Sequence, residues 1–197
     1  SAAFMAGLPA QCSEMSAAFW PDAVLADLAG CDALVRVEAL REAVSEAHAR
    51  VAAVFAGVDA SMAAPFGGAP SEADYSWARC VLNSRQFGAS WSDSQEIGAL
   101  VPAAEFFNHS CGLQGGISLN KDEASGTLQV LATRAFAEGE EAMVSYGRLG
   151  NAQLLCGHGF AVADNPQDAA ELVMTVRCGE LRSAALLAAG ELDSFGW

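Results

Sequence analysis

Ala104-Glu105-Phe106-Phe107-Asn108-His109-Ser110-Cys111 decides the reading of this chain, together with Val144-Ser145-Tyr146-Gly147 downstream. The first stretch sets two aromatic residues directly before an Asn-His-Ser turn. The second has the form of a short strand ending in Tyr-Gly. Between them, residues 116–120 and 127–133 read as the strands of a hairpin, with residues 121–126 as its turn. Glu138-Gly139-Glu140-Glu141 reads as a second turn, leading into a strand over 142–145.

Working outward, residues 149–157 look helical, and a strand at 171–177 and a helix at 181–189 follow. Upstream, Leu34, Val37, Leu40, Val44, Ala47, Val51 and Val54 recur at three- and four-residue steps, which predicts one amphipathic helix over 32–57. Arg36, Glu38, Arg41, Glu42 and Glu46 fall mostly elsewhere on its wheel, and Gly57 suits its C-terminal cap. Pro65, Gly67, Gly68 and Pro70 make 58–70 a loop. Ser71 and Asp74 have capping-box spacing for a second helix, with Trp77, Val81 and Leu82 on an apolar face running toward Arg85. Residues 88–101 read as a loop with room for a helical turn. There are no internal repeats.

The chain has 197 residues, 52% of them apolar, enough to bury a core. Its net charge of −14 argues against nucleic-acid binding, because phosphates need a basic face. The charge is compatible with a basic, lysine-rich partner, but the plainer reading is a surface that keeps the protein soluble. Six cysteines (Cys12, Cys31, Cys80, Cys111, Cys156 and Cys178) contain no C-x-x-C pair, so the usual zinc spacings are missing. They read as reduced, mostly buried thiols of an intracellular protein. His48, His109 and His158 are too dispersed along the chain to suggest a metal site. No apolar run reaches membrane-span length, and no signal or transit peptide is visible.

The Asn-His-Ser turn, the hairpin and the Tyr-Gly strand, in this order, resemble the C-terminal half of a SET domain, the fold of most protein lysine methyltransferases. Tyr75-Ser76-Trp77-Ala78 with Ser84-Arg85-Gln86-Phe87 looks like the end of a helical insert. Asn151-Ala152-Gln153-Leu154-Leu155, then Gly159-Phe160, looks like the helix after the catalytic strand. Gly7-Leu8-Pro9 and Phe19-Trp20-Pro21 are similar to the segment before the insert. Together these motifs are similar to the Rubisco large-subunit methyltransferase type of SET protein, and the resemblance covers nearly the whole chain. It implies an α+β SET fold with a helical insert over residues 1–161. Residues 162–197 would begin a mostly helical, substrate-binding C-terminal domain. It also implies that the Gly-rich first strands of a SET domain would precede this chain.

The implied activity is S-adenosylmethionine-dependent methyl transfer to a protein, with lysine as the expected target and histidine as the alternative. A lysine of pKa near 10.4 is neutral about one time in a thousand near pH 7.4, a cost of roughly 4 kcal/mol. Such a site must remove that proton, align the nitrogen lone pair and exclude water. By resemblance, Tyr146 stands at the transfer point, where a phenol can accept or donate a hydrogen bond without adding full charge. The alternative is a strand tyrosine packed in the core. Asn108 and His109 resemble the residues that receive the adenosine end of the cofactor, the His through its backbone and the Asn by holding the turn. The alternative is a polar turn bonded only to itself. Arg85 falls where the family has a site-lining arginine, or is a surface residue at a helix end.

Glu105, His158 and Phe160 are the expected substrate-binding positions. Glu105 replaces the usual aspartate and its extra methylene shifts the carboxylate. His158 replaces the usual tyrosine before Gly-Phe, or is a partly exposed helix-end residue. Gly150 and Gln153 replace the usual serine and glutamate. The implied compartment is intracellular, in chloroplast, cytoplasm or nucleus. Two rival readings are an inactive SET-like module that binds a partner peptide, and a fragment with no function of its own.

Overall fold

The computed structural model describes residues 2–92, 95–112, 115–122 and 124–170. The strand and helix expected within 171–189, Cys178 and residues 171–197 of the expected 162–197 domain lie outside the described residues. Helices α1 (Ala2–Ala6), α2 (Asp22–Leu25), α3 (Asp32–Gly57), α4 (Ala60–Ala63) and α5 (Glu72–Arg85) come first. Strands β1 (Gln86–Ser92), β2 (Gln95–Leu100), β3 (Asn108–His109), β4 (Gly116–Asp122), β5 (Thr127–Ala132) and β6 (Met143–Val144) follow, and α6 (Asn151–His158) ends the series. The architecture is α+β, with helices gathered in the first half and two small sheets in the second.

The periodicity of α3 is expressed as burial of Ala33, Val37 and Val44, while Glu38, Glu42 and Glu46 face water. The stripe leaves the core before the helix ends, since Val54 is 64% exposed. Gly57 is the last helical residue, and the cap is Val58 in an extended conformation. Residues 58–70 are more ordered than a loop, with α4 running into a 3-10 turn at Ala64–Phe66. At the start of α5, Ser71 Oγ accepts from Asp74 N–H at 3.1 Å and Ser71 N–H donates to the Asp74 carboxylate at 3.3 Å, completing the capping box. On that helix Cys80 and Val81 are buried, but Leu82 turns outward, 36% exposed, against the expected apolar face.

Two buried clusters tie the N-terminal segment to these helices. Ala17, Leu25, Val37 and Cys156 join it to α3 and α6. Met15, Cys80 and Val81, with Trp77 and Leu100 against them, join it to α5 and β2. Polar ties lock the same contacts. Ser16 Oγ donates to the Cys156 carbonyl at 2.5 Å, and Trp77 Nε1 donates to the Pro9 carbonyl at 2.8 Å. Among the described cysteines, all reduced, Cys80 and Cys156 are buried, Cys12 and Cys111 half-buried and Cys31 exposed. Burial and the neighbouring Cys12 thiol push the Cys80 thiol up to about 12, so it stays protonated.

Residues 88–101 form no loop. Gln86–Ser92 and Gln95–Leu100 pair antiparallel over most of that stretch, with an irregularity between Ser90 and Ser92. The second sheet has the order β3-β6-β4-β5. Its central strand β6 is parallel to both β3 and β4, and β4 and β5 form the expected hairpin. The strand expected over 142–145 is only Met143–Val144. Gly115 permits the close pairing, because a Cβ there would collide with the Met143 backbone.

Candidate active site

The β3–β6 pairing assembles the candidate site. Asn108 stands opposite Met143 and His109 opposite Val144, and Ser110 N–H donates to the Val144 carbonyl at 2.9 Å. Tyr146, two residues beyond Val144, is thereby carried past His109. Its backbone N–H donates to Nδ1 of His109 at 3.0 Å. Its hydroxyl donates to the Phe107 carbonyl at 2.8 Å. Tyr146 is thus held at both ends by residues on either side of Asn108. The segment that supplies these acceptors starts with a 3-10 turn at Ala104–Phe106, entered through Ala103 at φ 72°. That left-handed conformation is costly for alanine and sharply redirects the chain.

The α6 terminus completes the arrangement. Gly159 adopts φ +80° as the left-handed cap, which turns Phe160 back beside His158. Ring centroids lie 4.8 Å apart for Tyr146 and His158, 5.1 Å for Tyr146 and His109, and 6.4 Å for Tyr146 and Phe160. His158 and Phe160 are 6.1 Å apart, and His109 and Phe160 6.2 Å. Residues far apart in sequence therefore form one group of four rings, with His109, His158 and Phe160 around Tyr146. Two of the three histidines, dispersed along the chain, meet here. Among the described residues, no group of three His, Cys, Asp or Glu side chains could hold a metal ion.

Burial sets the charge of this group. It raises the Tyr146 hydroxyl above its ordinary pKa, although the nearby Arg85 charge pulls the other way. Burial lowers His109. It also lowers His158; the Ser84 backbone favours the charged ring, and neighbouring His109 opposes it. Near neutral pH all three side chains are therefore uncharged. His158 Nδ1 is buried and makes no hydrogen bond of acceptable geometry among the described residues. His158 thus ends α6, as its helix-end reading had it, and is half-buried with its ring against Tyr146.

The remaining expected residues fall around this centre in different ways. Arg85 ends α5, where its charge reaches Tyr146 and its Nε is buried without a hydrogen-bond partner among the described residues. Glu105 is buried, 8% exposed, and its Oε2 likewise has no partner. Asn108 is exposed, and its Nδ2 donates to Glu141 Oε1 at 2.6 Å, tying the turn to the segment before β6. Glu141 had no role in the sequence reading beyond its place in an acidic turn. Cys111, whose Sγ lies 3.5 Å from His109 Nε2, and the Phe107 carbonyl were also not foreseen. A backbone acceptor leaves no mark in a sequence; Cys111, two residues after His109, could have been flagged from proximity alone.

No family model matches this sequence. Over 105 residues the chain is 30% identical to a ribosomal lysine N-methyltransferase of Schizosaccharomyces pombe, covering 52% of this chain and 19% of that protein. Over 109 residues it is 30% identical to an actin-histidine N-methyltransferase of Danio rerio, covering 54% and 18%. A second ribosomal lysine N-methyltransferase of the same yeast is 27% identical over 100 residues, covering 50% and 25%. The chain thus spans between 18% and 25% of the length of these relatives. Among solved structures, it is similar to the SET domain of LSMT bound to methyllysine and AdoHcy, with a TM-score of 0.59 at 21% identity over 83% of this chain and 36% of that one. The fold is that of a SET domain, and the similar sequences are protein methyltransferases.

Proposed function

We propose that the four-ring group around Tyr146 is the transfer site of an S-adenosylmethionine-dependent protein N-methyltransferase, with lysine as the target side chain. The observation that carries this reading is the hydroxyl of Tyr146. Its proton is committed to the Phe107 carbonyl, so the phenol presents lone pairs, not a proton, to an incoming nitrogen. A substrate N–H can then be received and its lone pair aimed away from the phenol.

S-adenosylmethionine would supply a methyl group on a sulfonium, open to attack by a neutral nitrogen. The residues present fit such a group in three respects. Tyr146, His109 and His158 are all uncharged near neutral pH, so none repels a sulfonium. Ser110 N–H points to β6, so the His109 backbone, one residue back, faces the outer edge of the sheet formed by the described residues, where an adenine edge could pair with it. Arg85 offers a cation for the carboxylate of the methionine part.

The apolar ring walls favour an unprotonated amine by penalising the charged form. Among the described residues Glu105 Oε2 is a buried acceptor with no hydrogen-bond partner, and it suits a substrate N–H. Lysine is preferred over histidine because two of the three relatives modify ribosomal lysines and the fold neighbour was bound to methyllysine.

The test is to incubate the natural full-length protein with isotopically labelled S-adenosylmethionine and either ribosomal proteins or actin, and to locate the label by mass spectrometry. Label on ribosomal lysine is the expected result. Label on actin histidine would keep methyl transfer and overturn the lysine assignment. No label on either, with a correctly folded protein, would count against the transfer site.

A further inference from the structure

We propose that the His109 side chain is a positioning residue: its Nδ1 lone pair holds the backbone of Tyr146 and so fixes where the Tyr146 hydroxyl stands, and this hold exists only while the ring is neutral. The consequence for catalysis rests on the reading of Tyr146 given above; the hold itself does not.

A backbone N–H can only donate. Nδ1 of His109, 3.0 Å from Tyr146 N, must therefore be bare. The neutral ring then carries its proton on Nε2, the nitrogen 3.5 Å from Cys111 Sγ. The Tyr146 contact thus selects one tautomer, as a partner on one imidazole nitrogen generally does. Protonating Nδ1 would set two hydrogens against each other and release the Tyr146 backbone.

Among the described residues, the other support of Tyr146 is ring packing against His109, His158 and Phe160. Tyr146 follows the two-residue strand β6, and the next residue, Gly147, has φ +122°. Its two ends are pinned by the Phe107 carbonyl and by His109 Nδ1, so losing one leaves the ring to pivot about the other.

Among the described residues, the titratable and charged groups around His109 are these. Cys111 lies on its own segment, Tyr146 follows β6, and His158 ends α6 and is felt electrostatically. Arg85, at the end of α5, reaches Tyr146, and Glu141 is taken up by Asn108. Burial lowers the His109 pKa, which keeps the hold intact at neutral pH and moves its loss to more acidic conditions. The hold is present above that pKa and lost as pH falls through it.

Nitrogen NMR of the natural full-length protein, labelled in histidine, reads the tautomer directly and needs no activity. The expected spectrum for His109 has an unprotonated Nδ1, a protonated Nε2 and a midpoint below about 6.5, with the Tyr146 amide shifting at the same midpoint. A protonated Nδ1 at neutral pH, or a Tyr146 amide that ignores the His109 titration, would overturn the proposal.

The second arm compares turnover. The Asn side chain can bring its amide oxygen to the place of Nδ1; the Gln side chain reaches instead toward Nε2. His109→Asn should therefore keep about tenfold more kcat than His109→Gln, the worth of roughly one hydrogen bond, with a shallower acid limb than wild type. Equal losses in the two variants would sink the positioning role. If the tautomer is as expected and wild type shows no methyl transfer, the hold stands and the assigned reaction fails.

Discussion

Gly159 and Glu14 meet so closely that a Cβ on the glycine would lie 2.9 Å from the Glu14 carbonyl oxygen. The contact links the end of α6 to the N-terminal segment and fixes the direction in which His158 and Phe160 flank it. Gly159 is also at φ +80°, where side chains are strained. Gly159→Ala should destabilise the protein by about 1–3 kcal/mol, from the left-handed backbone and the overlap together. A thermal melt within the error of wild type would show that the N-terminal segment is not seated against α6.

Ser71 offers a test of a purely local device. Its hydroxyl accepts from Asp74 N–H and donates to the Asp74 carboxylate at 2.6 Å. Ser71→Ala should cost about 1 kcal/mol. Ser71→Gly should cost only a few tenths, since Gly caps nearly as well. Denaturant melts of both variants read the difference; equal costs would mean the capping box contributes little.

These two devices differ in how far the sequence revealed them. The capping box and α3 were legible because they depend on residues three or four apart on one helix. The order and spacing of Asn-His-Ser and Tyr-Gly were enough to expect the SET fold, but the resemblance set His109 at the cofactor's adenosine end and Tyr146 at the transfer point, and did not foresee their rings in contact. The β1–β2 hairpin was not legible, because Gly88, Ser90 and Gly98 interrupt any apolar alternation and the pairing rests on backbone bonds. The exposure of Val54 and Leu82 was equally hidden, since periodicity predicts a face but not where its partner ends. Within the site, the sequence named the rings but could not show that Tyr146 is held by the Phe107 carbonyl and by His109 Nδ1. Both are long-range contacts, one of them to a backbone oxygen.

His158 should impose a pH dependence on activity. Burial lowers its pKa, so its step lies below the ordinary value of about 6.5. Above that step the ring is neutral; as pH falls, an imidazolium beside Tyr146 would repel a cationic substrate. Activity should therefore rise with pH through this range, and His109, which interacts electrostatically with His158, should contribute to the same rise. His158→Tyr removes one of the two histidines, and its acid limb should be shallower than that of wild type under saturating cofactor. Superimposable pH–rate profiles would place His158 outside the amine's path.

Folding stability should follow the same sign. Both histidines are depressed by burial, so the unfolded chain takes up protons first as the solution is acidified. Their contribution is fully present above the unfolded value of about 6.5 and falls away as pH drops through the lower folded values. The melting temperature should decline as pH falls below about 6.5, and less so in a protein carrying His158→Phe. An unchanged slope in that variant would contradict the assignment of His158 as a buried neutral ring.

The central claim is that the Tyr146 hydroxyl, its proton held by the Phe107 carbonyl, orients the nitrogen that receives the methyl group. Tyr146→Phe keeps the ring contacts with His109, His158 and Phe160 and deletes only that oxygen. Single-turnover methyl transfer by the natural full-length protein, measured with cofactor affinity on the same samples, tests it most directly. The account predicts a fall of about tenfold or more in the transfer rate with cofactor affinity nearly unchanged. An unchanged transfer rate on a confirmed substrate would contradict it and return Tyr146 to a packing role.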